Sequence, residues 1–252
     1  MADFNNTDYI IVTGASSGIG KALALKLNEA GASIIAVARS FEKLEKAKNE
    51  AVHPENFYIE QKNLTEDVDS LPKFVTDLKN KYGKLRGLAS VAGMDKVVTT
   101  QLLNKKDIDD VFLINYTAPV MLARGFLDRR NNIGKGANIL FIASIAGVYP
   151  DRGQIIYASS KAALIAASVA ISKETAPRGI RCNCISPAWI NTPMFERQKE
   201  SIGASTEQYA LGIGEPDDVA NLGAFLMSEK ARWITAANYT MGGGGVTNGK
   251  YV

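Results

Sequence analysis

A serine, a tyrosine and a lysine in one short stretch of the sequence are of types that could do chemistry together. Tyr157 and Lys161 are four residues apart, which places them on one face of a helix about one turn from each other. A positive charge beside a phenol favours the phenolate, so the pKa of Tyr157 is expected to lie below its ordinary value of about 10. Tyr157 is then a candidate general acid or base. Ser144 ends an apolar run, so its hydroxyl is expected at the carboxyl end of a strand, facing the same helix.

The composition bounds the class of protein that could hold this group. The 252 residues allow one large α/β domain. A net charge of +3 arises from 29 basic and 26 acidic residues that are well mixed, which argues against nucleic acid or a membrane as partner. No apolar run is expected to approach the roughly 20 residues that span a bilayer, and the N-terminus does not resemble a signal peptide.

Cysteine and histidine usage excludes some kinds of site. Cys182 and Cys184 alternate on a predicted strand and are expected to be small buried residues, which fits a reducing, cytoplasmic compartment. His53 is the only histidine and precedes a proline in a polar loop. Neither a Ser-His-Asp triad nor a metal site is therefore expected.

Short apolar runs alternate with amphipathic helical stretches along the chain. The predicted strands cover residues 9–13, 33–38, 57–61, 85–92, 137–144, 180–186 and 238–241. The predicted helices cover residues 22–31, 41–51, 71–82, 106–130, 154–176 and 216–228. This alternation predicts a single domain over residues 1–252, built on one doubly wound parallel sheet with helices on both faces. Residues 187–209 show little periodicity and are expected to form a loop, with a substrate lid at about 192–210.

A glycine-rich turn follows the first strand at once and opens the first helix. Its spacing is Gly14-x-x-x-Gly18-x-Gly20, which differs from the Gly-x-Gly-x-x-Gly fingerprint. Backbone N–H groups at such a turn face a pyrophosphate, so the turn predicts a dinucleotide site. Arg39 stands after the second strand, where NAD-binding proteins place an acidic residue for the ribose 2′-hydroxyl. Arginine suits a 2′-phosphate, so NADP(H) is preferred; NAD(H) stays the alternative, because an arginine at a helix start is also simply solvated.

The joint order and spacing of these residues resembles the short-chain dehydrogenase/reductase family over essentially the whole chain. The resemblance rests on the turn from Thr13 to Gly20, on Asn115, Ser144, Tyr157-x-x-x-Lys161, Pro187 with Thr192, and a glycine-rich C-terminal end. It implies a Rossmann-type fold with a seven-stranded sheet. It also implies hydride transfer between a nicotinamide cofactor and a carbonyl or secondary alcohol, and a homo-oligomer, either a tetramer or a dimer.

The resemblance assigns a role to each of four residues. Tyr157 would exchange its phenolic proton with the substrate oxygen. Lys161 would lower the pKa of Tyr157 and hydrogen-bond the nicotinamide ribose. Ser144 would hold the substrate oxygen, and Asn115 would bend its helix and position a water that relays protons toward Lys161.

Cofactor and substrate contacts carry over from the resemblance in the same way. The implied cofactor-binding residues are Gly14, Ser16, Gly18, Ile19, Gly20, Arg39, Ser40, Asn63, Leu64, Ala92, Gly93, Tyr157, Lys161, Pro187, Ile190 and Thr192. The implied substrate-binding residues are Ser144, Val148, Arg152, Gln154 and Tyr157. Asn63 replaces the usual aspartate, and Ser90-Val91 replaces the usual pair of asparagines, which puts the geometry after the fourth strand in doubt. In the same way Ala188 replaces the usual glycine after Pro187, so the backbone there must avoid positive φ.

Several substrates and one different class of function stay open. Reduction of a 3-oxoacyl group on a carrier protein ranks first, because that activity is common among relatives of this length and layout. Steroids, sugars and small ketones are the other substrates of such relatives. A protein that senses NADP without turnover is the alternative of a different class, and the complete set of four residues argues against it.

Overall fold

Seven short strands form a single parallel sheet. In the computed structural model, which describes residues 3–202, 209–247 and 250–251, the strand order is β3-β2-β1-β4-β5-β6-β7. The strands are Tyr9–Thr13 (β1), Ser33–Ala38 (β2), Phe57–Gln61 (β3), Leu85–Ser90 (β4), Asn138–Ile142 (β5), Arg181–Pro187 (β6) and Asn238–Met241 (β7). Two further short strands, Val246–Thr247 (β8) and Lys250–Tyr251 (β9), pair antiparallel. The order reverses between β1 and β4, which opens a crevice at the carboxyl ends of these strands.

Helices cover both faces of the sheet, as the alternating pattern predicts. They are Gly18–Glu29 (α1), Phe41–Asn49 (α2), Leu71–Tyr82 (α3), Lys105–Phe112 (α4), Ala118–Leu127 (α5), Ile155–Thr175 (α6), Pro193–Ile202 (α7) and Pro216–Met227 (α8). Successive residues of β1 point to opposite faces: Ile10 and Val12 pack with the α1 and α8 side, while Ile11 packs with the α3 and α5 side. The continuous apolar strands are therefore buried on both sides, and the predicted fold class is confirmed.

The predicted helix over residues 106–130 is interrupted in the structure. A π-helical segment, Leu113–Thr117, separates α4 from α5 and contains Asn115. The chain leaves α5 at Leu127, and Arg130 then forms a bidentate ion pair with Asp128. The pattern of apolar residues continues through both breaks, which is why periodicity alone does not reveal them.

Two other expectations were wrong. The segment after β6 is not a loop throughout, because α7 begins at Pro193, where proline is favoured in the first turn of a helix. Residues 203–208 of the expected lid lie outside the described residues.

In addition, Ile155–Arg178 is apolar and long enough to cross a membrane by length and composition alone. This stretch contains α6, which packs against β6 within the fold, and a core helix passes the same test.

Candidate active site

The glycine turn has a backbone that favours glycine at several positions. Gly14 and Gly18 have φ angles of 68° and 51°, in the left-handed region. A Cβ on Gly20 would lie 2.3 Å from the carbonyl oxygen of Gly14. The three glycines therefore let the chain turn tightly from β1 into α1, so that the N-terminal N–H groups of α1 border the crevice.

Thr13, the last residue of β1, holds the neighbouring chain segment in place. Its Oγ1 accepts hydrogen bonds from the backbone N–H groups of Val91 and Ala92, at 3.0 and 3.1 Å. These bonds order the chain after β4 although the usual asparagines are absent. Ser90 contributes nothing comparable, because its Oγ is buried without a hydrogen-bond partner among the described residues. Ala188 lies in the negative-φ region, as its side chain requires.

Asn115 is fully buried in the π-helical segment and clamps the chain after Gly93. Its Oδ1 accepts from the backbone N–H of Met94 at 2.9 Å, and its Nδ2 donates to the Met94 carbonyl at 2.8 Å. The same Nδ2 donates to Ser160 Oγ on α6 at 3.0 Å. Asn115 thus joins three segments behind the wall of the crevice, and the helix around it is irregular.

Ser144, Tyr157 and Lys161 meet at the carboxyl end of β5. Lys161 Nζ lies 5.8 Å from the centre of the Tyr157 ring and donates to the Ile142 carbonyl at 2.9 Å. Ser144 Oγ lies close enough to Tyr157 to favour the phenolate, and it accepts from the Ala146 backbone N–H at 3.2 Å. The one-turn spacing of Tyr157 and Lys161 on α6 therefore brings both side chains to one point.

Burial dominates the protonation of both groups. Removal from water raises the pKa of Tyr157 to about 12, and the favourable contact with Ser144 offsets only part of this rise. Burial likewise lowers the pKa of Lys161 to about 8. The expected lowering of the Tyr157 pKa is therefore wrong for the protein without cofactor, because desolvation disfavours the phenolate more than its neighbours stabilise it.

One elongated cavity of about 1150 Å³ runs along the carboxyl edge of the sheet. It is lined by every residue that the sequence assigns to the cofactor: Gly14, Ser16, Gly18, Ile19, Gly20, Arg39, Ser40, Asn63, Leu64, Ala92, Gly93, Tyr157, Lys161, Pro187, Ile190 and Thr192. Ser144, Arg152 and Gln154 of the substrate set also line it. Val148 does not, because the 3₁₀ turn of Ile145–Gly147 leaves it outside the cavity with an exposed side chain.

The comparison with known protein families decides which family this arrangement represents. Residues 8–203 match the family model described as short chain dehydrogenase, which is more than half of the 252 residues. The chain belongs to the short-chain dehydrogenase family. It is therefore an oxidoreductase of that type. Ser144, Tyr157 and Lys161 line the crevice of this short-chain dehydrogenase at the carboxyl ends of the strands.

Relatives of this short-chain dehydrogenase cover nearly its whole length. It is 34% identical to the 3-oxoacyl-[acyl-carrier-protein] reductase FabG of Rickettsia felis, over 93% of this chain and 95% of the relative. It is 32% identical to the FabG of Thermotoga maritima, over 93% and 96%. A solved short chain dehydrogenase from Burkholderia cenocepacia in complex with NADP has a TM-score of 0.86 and 26% identity, covering 94% of this chain and 97% of that one.

The residues present in this short-chain dehydrogenase fit a dinucleotide. The three glycines pack the turn so closely that a Cβ would meet neighbouring atoms, and the cavity that the turn borders continues past Arg39. Lys43 and Lys62, which the sequence reading missed, line the same end and add two positive charges. Asn63 is less free than expected, because its Oδ1 already accepts from the backbone N–H and hydroxyl of Thr65.

Two further charged residues line the substrate end of the cavity, and one of them belongs to the expected lid. Asp95 follows Gly93 by two residues, and Arg197 lies on α7. Neither belongs to a spacing that predicts a site. Only the fold brings the segment after β4 and helix α7 to the same cavity.

Proposed function

We propose that this protein reduces the carbonyl of a 3-oxoacyl thioester to a secondary alcohol with NADPH. The observation that carries the proposal is one continuous cavity that joins the glycine cradle to Tyr157, Lys161 and Ser144. Bound at the cradle, the cofactor would supply the hydride. The protein would supply orientation, a proton and a polar environment for the substrate oxygen.

Tyr157 would act as the proton donor in this reaction. Because burial raises its pKa to about 12, the phenol stays protonated at neutral pH and is ready to donate to the carbonyl oxygen. Ser144 Oγ is positioned to hold the same oxygen and polarise the carbonyl. The ammonium of Lys161 stabilises the negative charge that develops on the tyrosine when it gives up the proton.

Asn115 supports this step without facing the cavity. Its clamp on Met94 fixes the backbone beside Gly93, and its Oδ1 would lie 2.9 Å from a Cβ at that position. The Nζ of Lys161 would lie 3.4 Å from the same Cβ. The side-chain amide of Asn115 and the ammonium of Lys161 therefore lie close together, as is required if protons are relayed between them.

The preference for NADPH rests on the charge at the adenosine end of the cavity. Arg39, Lys43 and Lys62 all line this end, and three cations suit a 2′-phosphate better than the uncharged 2′-hydroxyl of NADH. A solved relative holds NADP, which supports the same choice.

The 3-oxoacyl substrate rests on the names of relatives that match over nearly the full length.

A cofactor and carbonyl screen on the purified protein tests the proposal. Oxidation of NADPH and NADH is followed with acetoacetyl-coenzyme A, a steroid ketone, a ketose and small ketones. We expect turnover with NADPH and acetoacetyl-coenzyme A to exceed that of the other pairs. Turnover of a different ketone alone would replace the substrate class. NADPH binding without turnover on any compound would favour the NADP sensor.

Charge reversal at Arg39 tests the cofactor preference. We expect Arg39→Asp to weaken NADPH about tenfold or more while changing the affinity for NADH much less, because only NADPH carries the 2′-phosphate. Fluorescence titration with each cofactor measures both constants. Lys46→Asp is the matched control, since Lys46 is exposed on α2 and does not line the cavity. Equal effects of the two variants on NADPH would refute a specific phosphate contact at Arg39.

A further inference from the structure

Asp95 is a carboxylate in the cavity that no step of the proposed reaction uses. It is half-buried and lines the cavity together with Tyr157 and Lys161. Its negative charge favours the protonated form of both groups, which adds to the rise in the pKa of Tyr157 and offsets part of the fall in the pKa of Lys161. The negative charge of Asp95 would therefore also act on a substrate bound at Tyr157.

The segment that carries Asp95 is held on both sides. On one side, Asn115 binds both the N–H and the carbonyl of Met94, the residue directly before Asp95. On the other side, the backbone N–H of Val98 donates to the Gly153 carbonyl at 2.8 Å. Lys96 also pairs with Asp107 at 3.3 Å. Asp95 is thus fixed between anchored neighbours, and its position does not depend on a mobile loop.

Partial burial leaves the Asp95 carboxylate with fewer hydrogen bonds from water than an exposed carboxylate has. Desolvation raises the pKa of Asp95, and a hydrogen bond from its own backbone N–H together with the positive charges of Arg197 and Lys161 offsets part of that rise. Among the described residues, no side chain forms an ion pair with Asp95. Arg197 lies across the cavity on α7 and acts on Asp95 through its charge alone. A partly desolvated carboxylate that no cation pairs with is stabilised further when a ligand donates a hydrogen bond to it.

We propose that Asp95 selects the substrate. Its carboxylate accepts a hydrogen bond from a hydroxyl or other donor next to the reacting carbonyl, and it repels a substrate that carries an anionic group at that place. The inference rests on the proposed function and deepens it. A 3-oxoacyl ester or thioester is uncharged beside its carbonyl and is accepted, whereas the free 3-oxo acid brings a second carboxylate toward Asp95 and is disfavoured.

The test compares three probes that share one ketone: ethyl 3-oxobutanoate, 3-oxobutanoate, and ethyl 4-hydroxy-3-oxobutanoate. All three values of kcat/KM are measured with NADPH. The values for 3-oxobutanoate and for the 4-hydroxy ester are each divided by the value for ethyl 3-oxobutanoate to give two ratios. We expect Asp95→Asn to raise the ratio for 3-oxobutanoate about tenfold, because a like-charge repulsion is removed. The same variant is expected to lower the ratio for the 4-hydroxy ester, because the amide is a weaker acceptor than the carboxylate.

Arg197→Gln is the comparison for Asp95→Asn, because both side chains line the same cavity and carry opposite charges. If Asp95 acts on the substrate, loss of the opposing charge in Arg197→Gln lowers the ratio for 3-oxobutanoate, the opposite of Asp95→Asn. Unchanged ratios in Asp95→Asn, or equal effects of both variants on all three probes, would overturn the proposal. An unaltered NADPH affinity and melting temperature show that Asp95→Asn is folded. A wild-type protein that reduces no probe would instead remove the proposed function, and with it this inference.

Discussion

Tyr157 and Lys161 are both pushed toward their neutral forms by the cavity that holds them. The phenol is harder to ionise than usual, and the ammonium is easier to deprotonate than usual. For the phenol this means that reduction, in which Tyr157 gives a proton, is favoured at neutral pH. Oxidation, in which it must first lose that proton, is favoured at higher pH.

Removal of the phenolic hydroxyl tests Tyr157. We expect Tyr157→Phe to lower kcat about 100-fold or more, because general acid catalysis typically contributes that much. NADPH affinity and the melting temperature should stay close to those of the wild type, since the ring still fills its place. Steady-state kinetics and a fluorescence titration measure the two effects. A Tyr157→Phe protein with wild-type kcat would show that another group supplies the proton.

The buried ammonium of Lys161 makes a prediction about stability and pH. Its pKa falls from 10.5 in the unfolded chain to about 8 in the folded protein, so the unfolded state binds more protons between these values. The free energy of unfolding therefore rises with pH in this window, by about 2 kcal/mol between pH 7 and 9.5 from this group. Lys161→Met removes the contribution.

Urea unfolding of both proteins without cofactor, at pH 7 and at pH 9.5, checks this expectation. The difference between the wild type and Lys161→Met isolates the lysine, because burial raises the pKa of Cys184 and of Tyr157 to about 12 and keeps both protonated in the folded protein over this pH range. We expect the wild type to gain stability relative to the variant as the pH rises. A parallel pH dependence of the two proteins would mean that Lys161 titrates near its ordinary pKa when folded.

Among the elements, the break between α4 and α5 has the clearest consequence for the site. The π-helical segment widens one turn, and that turn holds Asn115 against Met94 and Ser160. A regular helix through this region would rotate Asn115 relative to both partners. The local irregularity is therefore part of how the fold positions the substrate side of the cavity.

Truncation of Asn115 tests this element. We expect Asn115→Ala to lower the free energy of unfolding by about 3 kcal/mol, because three buried hydrogen bonds lose their partner, and to lower kcat/KM about tenfold or more. Asn104→Ala is the matched control: Asn104 caps α4 through the N–H of Asp107, so its loss costs about 1 kcal/mol and should leave kcat/KM unchanged. An equal loss of activity in both variants would show only general destabilisation.

In the whole molecule, the two ends of the parallel strands have different roles. The cavity lies along the edge formed by their carboxyl ends. At the opposite edge, buried Arg86 at the start of β4 lies 2.8 Å from Glu229 and 3.7 Å from Asp8. These contacts tie the N-terminal segment and the end of α8 to the centre of the sheet, so they concern stability and not chemistry.

A substitution at this opposite edge should therefore separate stability from function. We expect Glu229→Gln to lower the free energy of unfolding by about 1 kcal/mol, since Arg86 is buried and loses its closest carboxylate. Lys230→Gln, which breaks an exposed pair with Asp3, should cost about half as much or less. Thermal unfolding and NADPH titration measure both effects. A change in NADPH affinity in either variant would contradict the separation of the two edges.

The described residues are those of one chain, so the expected homo-oligomer and the cytoplasmic location stay predictions. Sedimentation of the purified protein would decide between tetramer, dimer and monomer.

The order of the strands along the chain, the glycine turn, and the one-turn spacing of Tyr157 and Lys161 could all be predicted from the amino-acid sequence. These features depend on neighbours within a few residues, where backbone geometry and periodicity act directly. The protonation of Tyr157 and Lys161, and the further residues that reach the cavity, could not be predicted in this way because they depend on the folded chain. The pKa of Tyr157 depends on burial, which spacing does not report, and Asp95, Lys62 and Arg197 come from separate segments that the fold brings together. Val148 was wrongly included for the same reason, since the turn before it points it outside the cavity.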